Sequence, residues 1–143
     1  ETGIFSLEAL TLPKLIAYFC QHPDQLNHYL PLNQRFVFFQ STHGAPAQGS
    51  LSVPVTAERS IATDKSLMPP GALALVQIQI PVASTHNEWH YASVNRYVLD
   101  QDTGGAITGP GRVDLFMGTG VQAGVRAGLI NSTGRLYYLL LKD

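Results

Sequence analysis

The stretch DQDTGGAITGPGRVDLF, residues 100–116, places two carboxylates, Asp102 and Asp114, at either end of a glycine-rich loop. A third, Asp64, follows the short run SIAT and precedes the turn SLMPPG. Carboxylates fixed on a tight backbone can do proton-transfer chemistry, and Asp102-Thr103-Gly104 is the tripeptide that carries the catalytic acid of aspartic proteases. Glycines in such density also suggest a phosphate-cradling loop. The plainest alternative is that aspartates at strand ends cap turns, where their side chains bond the local backbone. Composition alone favours that alternative.

The protease reading fits poorly. Too little chain follows Asp102 for a flap and a second half-barrel, and the glycine run continues through Gly105, Gly109 and Gly111. The phosphate loop fails on spacing. Gly118, Gly120 and Gly124 depart from G-x-G-x-x-G by one residue, and the only acid beyond them is Asp143. Glycines that let a helix pack tightly are the simpler account. His86 and His90 flank Glu88 in a polar stretch without H-E-x-x-H order, so no metal site and no cofactor is expected. The single cysteine, Cys20, lies in the apolar run LIAYFCQ and reads as a buried thiol on a helix face.

Elements that could position the acids follow from periodicity. Thr11 can cap a helix carrying Pro13 in its first turn, with Leu12, Leu15, Ile16 and Phe19 on one face. Ser6 can cap the short turn SLEAL, and DQLNHYL continues as a second helix after Pro23. From Arg35 the character changes. RFVFFQ, LSVPV, RSIAT, ALALVQIQI, YASVNRYVLD and GRLYYLLL read as strands, being rich in β-branched and aromatic residues or alternating. VQAGVRAGLIN has helical spacing, with Asn131 and Gly134 as stop signals. This pattern predicts a mainly β chain: a helical lead-in over 1–34, then a small β-barrel over 35–143 with one interior helix. A strand–helix–strand order leaves room for a parallel pair.

With 143 residues, 45% hydrophobic and 13% charged, the chain can bury one core. A net charge of -1 with scattered Lys and Arg gives no footprint for nucleic acid. No apolar run is long enough for a membrane span. The opening residues ETG, without an initiator Met, suggest a processed or excised piece.

Four segments in order carry a resemblance: RFVFFQ, GSLSVPVTAERSIATDKSLMPPGA, DQDTGGAITGPGRVDLFMGTGVQAGVRAG and GRLYYLLLKD. Together they resemble the C-terminal part of the membrane-bound lytic murein transglycosylase A (MltA) family, which contains the three-aspartate domain. The lead-in with NQRFVFFQ resembles the segment just upstream, so nearly the whole chain is covered. The resemblance implies a double-psi β-barrel and peptidoglycan glycan strands as substrate. It implies non-hydrolytic cleavage of the β-1,4 bond between N-acetylmuramic acid and N-acetylglucosamine, leaving 1,6-anhydromuramyl ends. By motif position Asp114 is the single acid/base, with Asp102 its neighbour and Asp64 the third acid. Thr103, Gly104, Gly105, Ala106 and Arg112 are the expected substrate contacts, and the location is the periplasmic side of the outer membrane. Asp102 close to Asp114 would supply a like charge that favours the protonated acid.

The chain departs from the family at Thr108, where a basic residue is frequent, and at Met117, where Trp is common. The family's large upstream region, including an inserted domain that forms the other groove wall, is expected to be absent. A barrel lacking that wall could instead bind glycan without cleaving it, or dimerise through its exposed surface.

Overall fold

The computed structural model describes residue 6, residues 10–84 and residues 88–142. The chain divides into two compact units, residues 1–41 and residues 42–143, where composition places the boundary after residue 34. The expected SLEAL turn lies largely outside the described residues.

In the first unit, α1 spans Leu12–Gln21 and α2 spans Pro23–Tyr29, followed by a single 3-10 turn, Leu30–Leu32. Pro13 sits in the first turn of α1, where a missing N–H costs nothing. Thr11 holds the N-cap position in extended conformation, yet its side chain makes no capping bond. The helices meet through rings: Phe19 and Tyr29 lie 6.0 Å apart between centroids, and the Tyr18 hydroxyl bonds Gln25 Oε1 at 3.2 Å. Cys20 is exposed, not buried, because neither helix buries a residue in so small a unit.

RFVFFQ forms no strand. Phe36, Val37, Phe38 and Phe39 are 72, 78, 93 and 96% exposed. A strand is stable only when its N–H and C=O groups find a neighbour, and no described segment pairs with this one.

The second unit is built on a five-stranded sheet of β1 (Ser60–Ala62), β2 (Leu73–Ala83), β3 (Trp89–Asp102), β4 (Asp114–Leu115) and β5 (Arg135–Tyr138), in the order β4-β1-β3-β2-β5. β2 and β3 form its spine, paired antiparallel from Leu73↔Leu99 to Ala83↔Trp89. β5 joins the free edge of β2, and β4 joins β1, both antiparallel. Among the described residues the parallel pair is β1–β3, with β2 as the intervening crossover and no helix between them. The chain is mainly β as expected, but among the described residues β4 and β5 stay as edges and the sheet does not close on itself. LSVPV contributes only an isolated bridge, Gln48↔Pro54.

Alternation along β2 and β3 sorts the side chains. Ile61, Ala74, Val76 and Val98 form the buried core, with Ile78, Val113, Leu115, Leu136 and Tyr138 packed on it. The helix α3, Val121–Leu129, buries no side chain. It is held by polar contacts instead: Arg126 donates to the Pro81 carbonyl (3.2 Å) and pairs with Glu58 (2.6 Å), which also pairs with Arg96. A side chain on Gly118, at φ 107°, would come within 3.3 Å of the Ala57 methyl, so one glycine ahead of α3 serves close packing as expected. Gly124 faces open space.

Candidate functional site

Sheet topology delivers the acids to one end of the second unit. β1 and β3 run in the same direction, so Asp102, closing β3, and Asp64, just beyond β1, emerge together. β4 returns antiparallel and begins at Asp114. Ala62 is the hinge of this arrangement, registering with Asp102 on one side and Asp114 on the other. Two inter-strand steps of about 4.8 Å put the Asp102 and Asp114 backbones roughly 10 Å apart.

Both line one cleft of about 220 Å³, walled by Val55, Ile61, Ile107, Leu115 and Phe116.

Each acid has a distinct surrounding. Asp64 Oδ1 accepts from the Ser66 hydroxyl (2.6 Å) and amide (2.9 Å), and Oδ2 accepts from the Gly109 amide at 2.7 Å. These bonds, the Ser66 hydroxyl first, hold its carboxyl below the ordinary value of 3.8. Asp64 does not line the cleft; it ties the glycine loop to the end of β1. Gly109 has φ 83°, so only glycine turns there without strain.

Asp102 Oδ1 accepts from the Ser50 amide at 2.9 Å. Asp114 is gripped by Arg112, whose Nε and Nη2 donate to the two carboxylate oxygens at 2.9 and 3.3 Å. That fork raises the Arg112 guanidinium above its ordinary value, through the hydrogen bond and then the charge of Asp114. Both side chains are about half exposed, 53% for Arg112 and 46% for Asp114, so the fork is open to exchange with solvent or ligand.

The other named contacts divide. The Thr103 hydroxyl donates to the Thr63 carbonyl at 3.0 Å, which gives it a local backbone task. The Gly104 carbonyl accepts from the Ile107 amide at 2.9 Å, closing a turn, while Gly105 and Ala106 are exposed on that turn. Met117 is buried, so no sugar can stack on it, and Thr108 is exposed. His86 lies outside the described residues. Among the described residues no group of three His, Cys, Asp or Glu could hold a metal ion.

Two features escaped the sequence. A side chain on Gly49 would overlap the Gln101 carbonyl oxygen, so this glycine lets the 48–54 loop lie against β3 and aim Ser50 at Asp102. Ser50 stands 52 residues from its partner, and no local pattern announces such a contact. Behind the cleft, Asp100 is fully buried. Its Oδ2 accepts from Thr63 (2.7 Å) and Tyr138 (2.6 Å), and its Oδ1 pairs with Lys65. Burial and then the bond to Asp100 push the Tyr138 phenol up to about 12.

Residues 59–140 match the 3D domain model, and residues 1–40 match the MltA specific insert domain. The chain belongs to the membrane-bound lytic murein transglycosylase A family. It is 34% identical to the Escherichia coli K12 member over 115 residues, which is 80% of this chain and 31% of that protein. It is 30% identical to the Vibrio cholerae member over 144 residues, all of this chain and 38% of that one. Among solved structures, MltA from Neisseria gonorrhoeae aligns at TM-score 0.74 and 31% identity, covering 96% of this chain and 34% of that one. E. coli MltA with bound chitohexaose aligns at 0.72 and 29%, covering 91% and 39%. The chain therefore spans about a third of its MltA relatives' length. The match over residues 1–40 also corrects the expectation that the inserted domain is wholly absent, since part of its sequence is present. The E. coli and V. cholerae relatives are named as membrane-bound murein enzymes; among the described residues no helix is long and apolar enough to cross a membrane.

Proposed function

We propose that this chain carries the catalytic acid of a peptidoglycan lytic transglycosylase, with Asp114 as acid and then base. The supporting observation is that Asp102 and Asp114 line one cleft at the end of a sheet in an MltA-family chain. A relative that binds chitohexaose, a chain of N-acetylglucosamine, suits the same substrate class.

The chemistry needs one carboxyl group. Asp114 gives its proton to the glycosidic oxygen as the bond from muramic C1 to that oxygen breaks. The C6 hydroxyl of the same muramic residue attacks C1, and its proton passes to the Asp114 carboxylate. The products are a 1,6-anhydromuramyl end and a free N-acetylglucosamine hydroxyl, with no water consumed. A tethered nucleophile is favoured because no second molecule has to be held in place. Asp102, oriented by Ser50, faces the charge that develops at C1, and Asp64 fixes the loop between the two.

In the free chain Arg112 occupies both Asp114 oxygens. The acid is freed when the guanidinium turns to an incoming carboxylate such as the muramic lactyl group, which suits its planar fork. Glycan filling the cleft also excludes water, and a water-poor site favours the neutral acid. We read the domain built around this site as a double-psi β-barrel in the cell envelope, on the periplasmic side of the outer membrane.

A second reading is a glycan-binding part that needs more chain to cleave. The open sheet and the one-third coverage favour it specifically. Incubation with murein sacculi and mass spectrometry of the soluble products separates the two. Anhydromuropeptides from the wild type but not from folded Asp114→Asn support the transglycosylase. Reducing ends would mean hydrolysis, and binding without products would leave the second reading.

A further inference from the structure

The sheet has a second face that the proposed reaction does not use. Register pairs project to the same side of an antiparallel sheet, which sorts this face into rows. One row is Tyr97–Leu75–Tyr137, the next is Asn95–Gln77–Arg135, and a third is Ser93–Gln79. Tyr97 and Tyr137 are 59 and 47% exposed. A hollow of about 350 Å³ lies over the polar rows, lined by Gln77, Gln79, Ser93, Asn95 and Arg135. That volume falls in the range of small-ligand pockets, about 300–1,000 Å³. None of these residues lines the Asp102–Asp114 cleft.

None of those five side chains bonds another group among the described residues. Amides and a hydroxyl grouped in this way both donate and accept. The rows carry no Asp or Glu and one cation, Arg135. A pyranose offers hydroxyls and N-acetyl groups at its edge and C–H groups on its face. It therefore matches an amide row beside tyrosine rings. A single arginine gives no stripe for a nucleic-acid backbone, but its fork can take a carboxylate. Gly134 shapes the hollow: a side chain there would overlap Gln77 O and the Ile78 side chain, so only glycine lets β5 begin so close to β2.

We propose that this outer face of β2, β3 and β5 is a second saccharide-binding surface, for N-acetylated amino-sugar chains bearing carboxylates. Its role is to hold insoluble glycan while the cleft works on a strand. The identity of the sugar rests on the murein reading; the surface itself does not.

The test uses the whole chain, chitohexaose and purified sacculi. In titrations with chitohexaose followed by NMR, the side-chain amides of Gln77, Gln79 and Asn95 should shift. Gln77→Ala with Asn95→Ala should reduce retention on sacculi several-fold. Arg135→Gln, a milder change, should weaken retention on sacculi but leave uncharged chitohexaose binding unchanged. Shifts confined to residues around Asp102 and Asp114, or unaltered retention in the double variant, would overturn the proposal. Equal effects of Arg135→Gln on both ligands would remove its carboxylate part. Outer-face shifts in a chain that releases no muropeptides would defeat the transglycosylase reading and leave this surface standing.

Discussion

The three aspartates are chemically alike in sequence and unlike in place, because their partners differ. Asp64 is an anchor: three bonds from Ser66 and Gly109 favour its charged form. A carboxyl with a depressed folded value contributes stability above its unfolded value, and that contribution is lost as pH falls through the folded one. Thermal unfolding of the wild type should therefore weaken on acidification below about pH 4, where the unfolded acid begins to take up protons. Asp64→Asn should show a shallower acid slope in melting temperature followed by circular dichroism. Parallel slopes would remove the anchoring role. Tyr138 makes the opposite case. Its phenol, raised to about 12, holds its proton longer when folded, so its contribution is complete below about pH 10 and lost as pH rises through the folded value. Ultraviolet titration should find a phenol ionising near pH 12, and Tyr138→Phe should abolish that step. Spacing alone leaves Asp64, Asp102 and Asp114 as turn caps, and only the family resemblance singles them out. Asp100 was not legible, because D-Q-D at the end of a strand does not say which acid is buried, and burial is decided by β1 and β5 from elsewhere in the chain.

Elements place the residues, and their legibility followed their length. The β2–β3 hairpin announced itself by alternation over many residues, whereas β4, two residues long, has no period to read. Yet β4 brings Asp114 to the cleft. The link between elements is polar: Asp100 on β3 is tied to Lys65 after β1 and Tyr138 on β5. Removing one partner of a buried ion pair strands the other charge, so Lys65→Met should destabilise folding by about 3–5 kcal/mol in chemical denaturation. A loss below about 1 kcal/mol would place the pair with ordinary surface bridges. Gly49→Ala tests the other support of the site. Its added methyl meets the Gln101 carbonyl, and relief requires the 48–54 loop to move away from β3, taking the Ser50 amide from Asp102. A cost of about 1–3 kcal/mol is expected, with backbone amide shifts at both Ser50 and Asp102. Shifts at neither would mean the loop yields without disturbing the acid.

At the scale of the molecule, the described residues leave both edges of the sheet open and much apolar surface in solvent. RFVFFQ is the instructive failure of sequence reading: its residues are strand-formers on both faces, the composition of a strand covered on two sides. Here no described segment pairs with them, and Phe38 and Phe39 are above 90% exposed. Leu140 and Leu141, beyond β5, are 82 and 99% exposed. Propensity describes what a segment would do given a partner, and it cannot say whether the partner belongs to the same stretch of chain. Large apolar groups in water at about 25 cal/mol per Å² favour any contact that covers them, and unpaired edges add hydrogen-bonding groups. The chain should therefore self-associate as concentration rises, seen as an increasing weight-average sedimentation coefficient. Phe38→Asp with Leu141→Asp should shift that association to higher concentration without changing the β2–β3 amide spectrum, since neither residue belongs to the core. A wild type that stays monomeric throughout would show that these surfaces are covered within one chain.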